Sequence, residues 1–144
     1  MANANAICSS FKQEILVGGH NFTLTTGDVF NLALYVAAAT YGAATTVYSS
    51  TNEVAAGGTY TTGGKPLTNV TPVLDGTAAI IDFADLTWAA STITARGAMI
   101  YNTRGGTNKS VMTMDFGSDK ISSAGDFTIQ FPAAAAATAI IRVA

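Results

Sequence analysis

The chain carries little charge. Aspartate, glutamate, lysine and arginine make up 11% of its 144 residues, where about a quarter is usual for soluble domains. The formal net charge is only −2, so electrostatic repulsion between copies is weak. Serine, threonine, asparagine, glycine and alanine must therefore cover much of the surface. This composition is typical either of a chain that assembles through uncharged interfaces or of an ordinary surface rich in threonine and alanine.

Cysteine and long apolar runs are also scarce. The single Cys8 cannot form an intramolecular disulfide, and its predicted role is that of a small buried side chain. No apolar run approaches the roughly 18 residues of a membrane span, and no secretory leader precedes the rest of the chain. We therefore expect a protein that is made in a cytoplasm and has no membrane partner.

Few residues could carry out catalysis. His20 is the single histidine and no Gly-x-Ser-x-Gly motif occurs, which argues against a serine hydrolase. Two groups of aspartates suit turns better than acid–base catalysis, although a polysaccharide hydrolase would need only two that converge. A calcium site within the second group stays open. The groups are Asp82 with Asp85, and Asp115 with Asp119 and Asp126. The prediction is a protein that is not an enzyme, with no cofactor and no catalytic residue.

Nucleic acid is not a predicted partner either. The basic residues are dispersed along the chain and form no patch in the sequence. The paired glycines at residues 57–58 and 63–64 lack the Gly-Lys-Ser/Thr ending of a phosphate-binding loop. Contact with a protein or a glycan is the remaining class of function.

One helix is predicted, from about residue 5 to residue 17. Ile7, Phe11 and Ile15 recur every four residues and form an apolar stripe. The glycine pair at residues 18–19 can end the helix in a left-handed conformation. Phe11 packs on a sheet if the helix is docked, and meets a partner if the helix is a detachable arm.

Antiparallel strands are predicted from about residue 21 to residue 143. Residues 92–101 and 125–131 alternate apolar and polar side chains, whereas residues 29–36 are apolar on both faces and should be central. Asp75-Gly76 predicts a tight hairpin. The expected fold is all-β, an antiparallel, jelly-roll-like β-sandwich with one N-terminal α-helix, as a single domain over residues 1–144. The predicted core consists of Leu32, Leu34, Phe83, Trp88, Ile100, Phe116, Phe127 and Phe131.

Residues 37–64 differ from the rest because alanine, threonine, serine, glycine and tyrosine dominate them. This composition predicts long exposed loops. Tyr41, Tyr48 and Tyr60 lie among small polar residues, as tyrosines do in adaptable contact surfaces. They are either contact residues or ordinary loop tyrosines.

Eight segments that together cover nearly the whole chain carry a resemblance to a known family. They are NANAICSSFK (3–12), TGDVF (26–30), TNEV (51–54), LTNV (67–70), FADLTW (83–88), ARGAMIYN (95–102), DFGSD (115–119) and GDFTIQFP (125–132). With these segments the chain resembles small virion structural proteins encoded by tailed bacteriophages. Each segment is a packing or turn pattern and none is a chemical signature.

The resemblance implies a virion protein made in the host bacterial cytoplasm, and within that class a capsid decoration (cement) protein. Such a protein would be a homo-oligomer, with a trimer favoured, that binds the major capsid protein and stabilises the assembled shell. Phe11 and the three loop tyrosines are then the expected partner contacts. The alternative is a tail or baseplate component whose tyrosine-bearing loops contact a receptor or glycan.

Overall fold

The computed structural model describes residues 3–144 and builds them into two antiparallel sheets and one helix. The elements are β1 (Ala6–Ile7), α1 (Ser9–Leu16), β2 (Phe30–Tyr35), β3 (Lys65–Pro66), β4 (Asn69–Asp75), β5 (Ala78–Phe83), β6 (Leu86–Asn102), β7 (Lys109–Ile129) and β8 (Ile141–Val143). One sheet has the order β1-β7-β6-β2-β3 and the other has the order β4-β5-β8. The predicted all-β class with a single N-terminal helix is confirmed.

The long hairpin of β6 and β7 dominates the larger sheet. Its two strands pair from Leu86 with Ile129 to Asn102 with Lys109. Between the pairs Ala95–Lys120 and Gly97–Asp115, Arg96 alone lies opposite residues 116–119. Extra residues on one strand bend it and increase its twist. Residues 116–119 therefore form a bulge inside one continuous strand.

The main core contains side chains from both sheets and from α1. Leu32, Leu34 and Ile100 are fully buried, and Trp88 is 1% exposed. Phe83, Phe127 and Phe131 also belong to this core. Phe116 is only partly buried, because it lies in the bulge of β7 where the strand leaves the sheet. The predicted core is confirmed for the other seven residues.

Helix α1 is shorter than predicted and docked. Ala6 and Ile7 pair with Thr113 and Met112 of β7, so the chain becomes helical only at Ser9. The free edge of β7 offers these residues backbone partners, and this pairing prevails over their helical spacing. Phe11 is 1% exposed in the main core, so the face that carries it is not available to a partner of the folded chain.

Residues 21–26, where the predicted strands begin, form turns and not a strand. The backbone N–H of Gly27 donates to Thr23 O at 2.9 Å, and that of Asp28 donates to Asn21 O at 2.7 Å. The side chain of Asn21 accepts a further bond from Thr23 N at 3.0 Å. Asparagine and aspartate compete with strand pairing through such local bonds.

The smaller sheet contains the hairpin predicted at Asp75-Gly76. Asp75 pairs with Ala78, which leaves Gly76 and Thr77 as the loop. Gly76 has φ +63°, the positive angle that a tight hairpin needs at its first loop position. The alanine-rich stretch after Pro132 is a connector without a helix, as its length predicts. Within residues 3–144 no helix is long and apolar enough to cross a membrane.

Candidate contact surface

The tyrosine-bearing segment between β2 and β3 is irregular but tied to the sheet by hydrogen bonds. Val36 N donates to Asn52 O at 3.0 Å, and Val54 N donates to Leu34 O at 2.9 Å. Glu53 forms an isolated bridge with Tyr35, the last residue of β2. These bonds fold residues 36–54 back along the end of β2.

Glu53 holds this segment together. Its Oε1 accepts hydrogen bonds from Tyr60 Oη and from Gly63 N, both at 2.7 Å, and its Oε2 accepts one from Tyr48 Oη at 2.6 Å. Tyr60 Oη in turn accepts a bond from Leu34 N at 2.9 Å. Hydrogen bonds to an ionised acceptor are roughly twice as strong as neutral ones. The segment is therefore a rigid loop with its shape fixed before any partner binds.

The structure separates the four predicted contact residues into two groups. Tyr41 and Tyr48 are half-buried and reach the surface, whereas Tyr60 and Phe11 are each 1% exposed. Tyr60 packs on Trp88 with ring centroids 5.5 Å apart. The expectation that Phe11 and Tyr60 meet a partner is thus corrected, because the folded chain buries both rings.

The two exposed tyrosines are held by neighbours. Tyr48 stacks on Tyr101 with centroids 4.5 Å apart, and Tyr41 meets Tyr35 edge-on at 4.8 Å. Tyr41 Oη also donates to Thr51 O at 2.8 Å. Each ring therefore presents one fixed face, which lowers the entropy that contact with a partner would cost.

Burial controls the ionisation of these phenols. Burial, reinforced by the charge of Glu53, raises the pKa of Tyr35 far above its ordinary value. Burial and the hydrogen bond to Glu53 raise the pKa of Tyr48 and of Tyr60 in the same direction, and burial also raises that of Tyr101. All four are neutral near pH 7 and act by stacking and hydrogen bonding.

The aspartates of interest have separate positions and bonds. Asp115 pairs with Arg96 at 3.0 Å, Asp126 accepts from Ala90 N at 3.2 Å, and Asp85 accepts from Phe131 N at 2.8 Å. Asp115, Asp119 and Asp126 lie on β7 and not in turns. In the described part of the chain no group of three or more histidine, cysteine, aspartate or glutamate side chains could hold a metal ion.

An apolar groove runs along β7 beyond its bulge. Its cavity of about 580 Å³ is lined mainly by Met114, Phe116, Ile121, Phe127, Ile129 and Ile140, with Asp115, Lys120 and Asp126 among them. Ile121 is 70% exposed. For residues 116–129, β6 is the single ladder partner that the described chain provides, so the outer edge of β7 keeps unpaired backbone groups beside the groove. An extended segment of another chain could pair there.

Further large apolar side chains are exposed elsewhere. Leu74 at the end of β4 is 74% exposed, and Leu16 and Val17 at the end of α1 are 84% and 72% exposed. Single exposed apolar residues are common, but Ile121 lies in a groove whose other apolar side chains are buried or partly buried.

The sequence reasoning missed two residues. Glu53 is not among the predicted contact residues, although it is the single acidic residue between Asp28 and Asp75. A lone charge in a stretch with several tyrosines was the available signal. No structural role is predicted for His20, whose side chain is fully buried against Glu14.

No family model, curated protein or solved structure matches this chain.

Proposed function

We propose that this chain is a virion structural protein of a tailed bacteriophage, and specifically a capsid decoration (cement) protein. In this role it binds the assembled shell of major capsid protein and stabilises it, as a homo-oligomer for which a trimer is favoured. The family assignment comes from the eight sequence segments that resemble such proteins. The observation that supports a contact function is the apolar groove along β7, with Ile121 70% exposed beside an unpaired strand edge.

A groove of this kind has an energetic consequence. Burying apolar area is worth about 25 cal/mol per Å², so covering Ile121 and its neighbours would stabilise a complex. The low charge of the chain lowers the desolvation cost of such contacts. A protein that binds the assembled lattice and not free subunits stabilises the lattice by mass action.

The rigid tyrosine loop also supports a function in binding a partner. Glu53 fixes the loop through three short hydrogen bonds, so the loop loses little freedom when it meets a partner. A decoration protein repeats the same contact many times over a shell, and a preformed surface gives each copy the same geometry.

The test uses heads of the parent phage assembled without this chain. Added protein should bind the heads, be visible on their outer surface by cryo-electron microscopy, and raise the temperature at which they rupture. Density for the chain on the tail, or heads whose rupture temperature is unchanged after saturation, would overturn the proposal.

A tail or baseplate component is the second candidate, and Tyr41 and Tyr48 favour it. Both rings are half-exposed and fixed in one loop, an arrangement that suits stacking on a sugar or a receptor side chain. Glycan-array binding by the isolated protein, lost in Tyr41→Ala and Tyr48→Ala but kept in Tyr60→Phe, would support this candidate.

A further inference from the structure

A second cavity opens where α1 ends against the turn between β6 and β7. Its volume is about 360 Å³, and its walls are Gly18, Gly19, Asn102, Arg104, Thr107 and Lys109. Two of these six residues are cations and none is an anion. The chain as a whole has a net charge of −2, and the two cations of this wall lie 3.7 and 3.8 Å from the carboxylates of Asp28 and Glu14.

The carboxylates closest to these cations are buried and already bonded. Glu14 Oε2 takes a hydrogen bond from His20 Nε2 at 2.7 Å. Asp28 Oδ2 accepts from Asn102 Nδ2 and from Asn21 N, each at 2.8 Å. The best acceptor positions of both carboxylates are thus occupied by neutral donors.

The hydrogen bond from Asn102 to His20 determines which nitrogen of the imidazole ring carries the proton. Asn102 Oδ1 accepts from Arg104 N at 2.9 Å, which fixes the orientation of the amide. Asn102 Nδ2 therefore faces His20 Nδ1 at 2.9 Å and donates to it. The ring proton of His20 must then lie on Nε2, toward Glu14, and His20 adds no positive charge.

Arg104 and Lys109 are consequently left with donors to spare. Arg104 Nη1 lies 3.7 Å from Asp28 Oδ2, and Lys109 Nζ lies 3.8 Å from Glu14 Oε1, both too long for hydrogen bonds. The cationic side chains are 54% and 41% exposed, whereas those of Asp28 and Glu14 are 12% and 11% exposed. The one side-chain hydrogen bond of Arg104 in the described chain goes from Nη1 to Gly18 O. The cavity therefore presents positive charge and free N–H groups to solvent.

Two exposed apolar residues end the chain segment that leads into this cavity. Leu16 and Val17 are 84% and 72% exposed and immediately precede Gly18 in its wall. A partner that fits this surface carries a carboxylate next to an apolar side chain.

We propose that this cavity, called here the Arg104–Lys109 pocket, binds an aspartate or glutamate side chain of a protein partner, with a neighbouring apolar side chain of that partner packed on Leu16 and Val17. The inference rests on the proposed function, which supplies a protein as the partner. Guanidinium and ammonium groups hold carboxylates through charge-assisted hydrogen bonds. Nucleic acid needs a larger basic surface than two cations on an acidic chain, and an anionic membrane needs a cluster of basic residues.

The test measures binding of two labelled peptides to the isolated protein by fluorescence anisotropy. One peptide alternates glutamate and leucine, and the other alternates glutamine and leucine. The acidic peptide should bind at least about tenfold more tightly, since the neutral peptide cannot form charge-assisted hydrogen bonds with either cation. Its binding should weaken as salt rises, and NMR should place the largest amide shifts at Gly18, Gly19 and Thr107.

Three glutamine variants and Arg104→Lys locate the site. Arg104→Gln and Lys109→Gln should each weaken the acidic peptide about tenfold. Arg142→Gln is the matched control, because Arg142 also bonds a backbone carbonyl, that of Ala136 at 2.8 Å, but lies on β8 outside the pocket. Melting curves of all three show whether the fold is retained, and Arg104→Lys should recover most of the binding because it restores the charge.

Several results would overturn the inference. They are equal binding of the two peptides, equal loss in Arg142→Gln, no binding of the acidic peptide, and preferential binding of inorganic phosphate or of phosphatidylserine vesicles. The proposed function fails separately. If the chain binds the acidic peptide but not phage heads, the pocket stands and the capsid role falls. If Arg104→Gln and Lys109→Gln bind heads as the wild type does, the pocket falls and the capsid role stands.

Discussion

Glu53 and Tyr60 are joined by a hydrogen bond of 2.7 Å inside the loop that connects β2 and β3. The same carboxylate also holds Tyr48 and the backbone of Gly63. One ionised side chain thus fixes three points of a segment that has neither a helix nor a continuous strand ladder. Ala39, Val54 and Tyr60 of the loop are also buried in the hydrophobic clusters, so the order of the loop depends on Glu53 together with apolar packing.

Replacing Glu53 by alanine should destabilise the chain by about 3 kcal/mol, because it leaves a buried phenol and a backbone N–H without an acceptor. Chemical denaturation measures this loss. The loop should also become more open to proteases between residues 37 and 64.

Glu53→Gln is the informative control. Its amide oxygen can still accept from Tyr60 and Gly63, while Tyr48 Oη rotates to accept from the new NH₂ group. The loss should therefore be clearly smaller than in Glu53→Ala. Equal losses in the two variants would mean that the charge, and not the acceptor geometry, holds the loop.

The buried tyrosines predict a loss of stability at alkaline pH. Burial raises the pKa of Tyr35 and Tyr60 in the folded chain, so the protonated phenols stabilise it fully at any pH below the unfolded value of about 10. Above that pH the unfolded chain loses protons that the folded chain keeps. The free energy of unfolding should then fall by up to about 1.4 kcal/mol per pH unit for each such tyrosine.

Absorbance at 295 nm, recorded together with circular dichroism, tests this pH dependence. Ionisation of the buried phenols should coincide with unfolding. Tyr35→Phe should make the fall of stability with pH less steep, because one titrating group is removed. Reversible ionisation of all five tyrosines in a chain that stays folded would contradict the prediction.

Alanine substitutions at two glycines separate the stability cost of a left-handed backbone angle from that of close packing. Gly64 has φ +76°, and a Cβ atom on it would overlap the carbonyl oxygen of Leu32 in β2. Gly76 has φ +63° with no atom within 4 Å of such a Cβ. Gly76→Ala should cost about 1–2 kcal/mol for the left-handed angle alone. Gly64→Ala should cost clearly more in thermal or chemical unfolding, since β2 cannot move away. Similar costs would mean that the angle accounts for both.

The sequence predicts the parts of this fold that depend on local patterns. Alternation of apolar and polar residues predicts strands over residues 92–101 and 125–131, which lie in β6 and β7, and Asp75-Gly76 identifies the turn between β4 and β5. The predicted start of α1, at about residue 5, was wrong because Ala6 and Ile7 pair with a strand more than a hundred residues away in the sequence. No local pattern contains that information.

The contact surface was less predictable than the strands, because it too depends on contacts between residues far apart in the sequence. The neighbours of Tyr60 in the sequence are threonines and glycines, a composition typical of an exposed loop. Its ring nevertheless packs on Trp88, and its hydroxyl is hydrogen-bonded to Glu53 and Leu34. The groove along β7 exists because the bulge opposite Arg96 bends the strand and because β1 covers only two of its residues. Both features arise from strand pairing and not from the spacing of residue types.

Ile121 gives the most direct test of the groove. Its side chain is 70% exposed, so Ile121→Ser removes little buried area and should change the free energy of unfolding by less than about 0.5 kcal/mol. If the groove meets the shell, the same substitution should weaken binding to phage heads by about tenfold, since burying such a side chain is worth about 1.5–3 kcal/mol. Sedimentation of heads with bound protein measures this change.

Leu24→Ser is the matched control for this prediction, because Leu24 is 50% exposed and lies outside the groove. It loses a side chain of the same size from a different surface. A head-binding defect in Ile121→Ser alone, with both variants as stable as the wild type, would assign the contact to the groove of β7. Equal defects would indicate a general dependence on surface hydrophobicity, and unchanged binding in both would remove the groove from the contact surface.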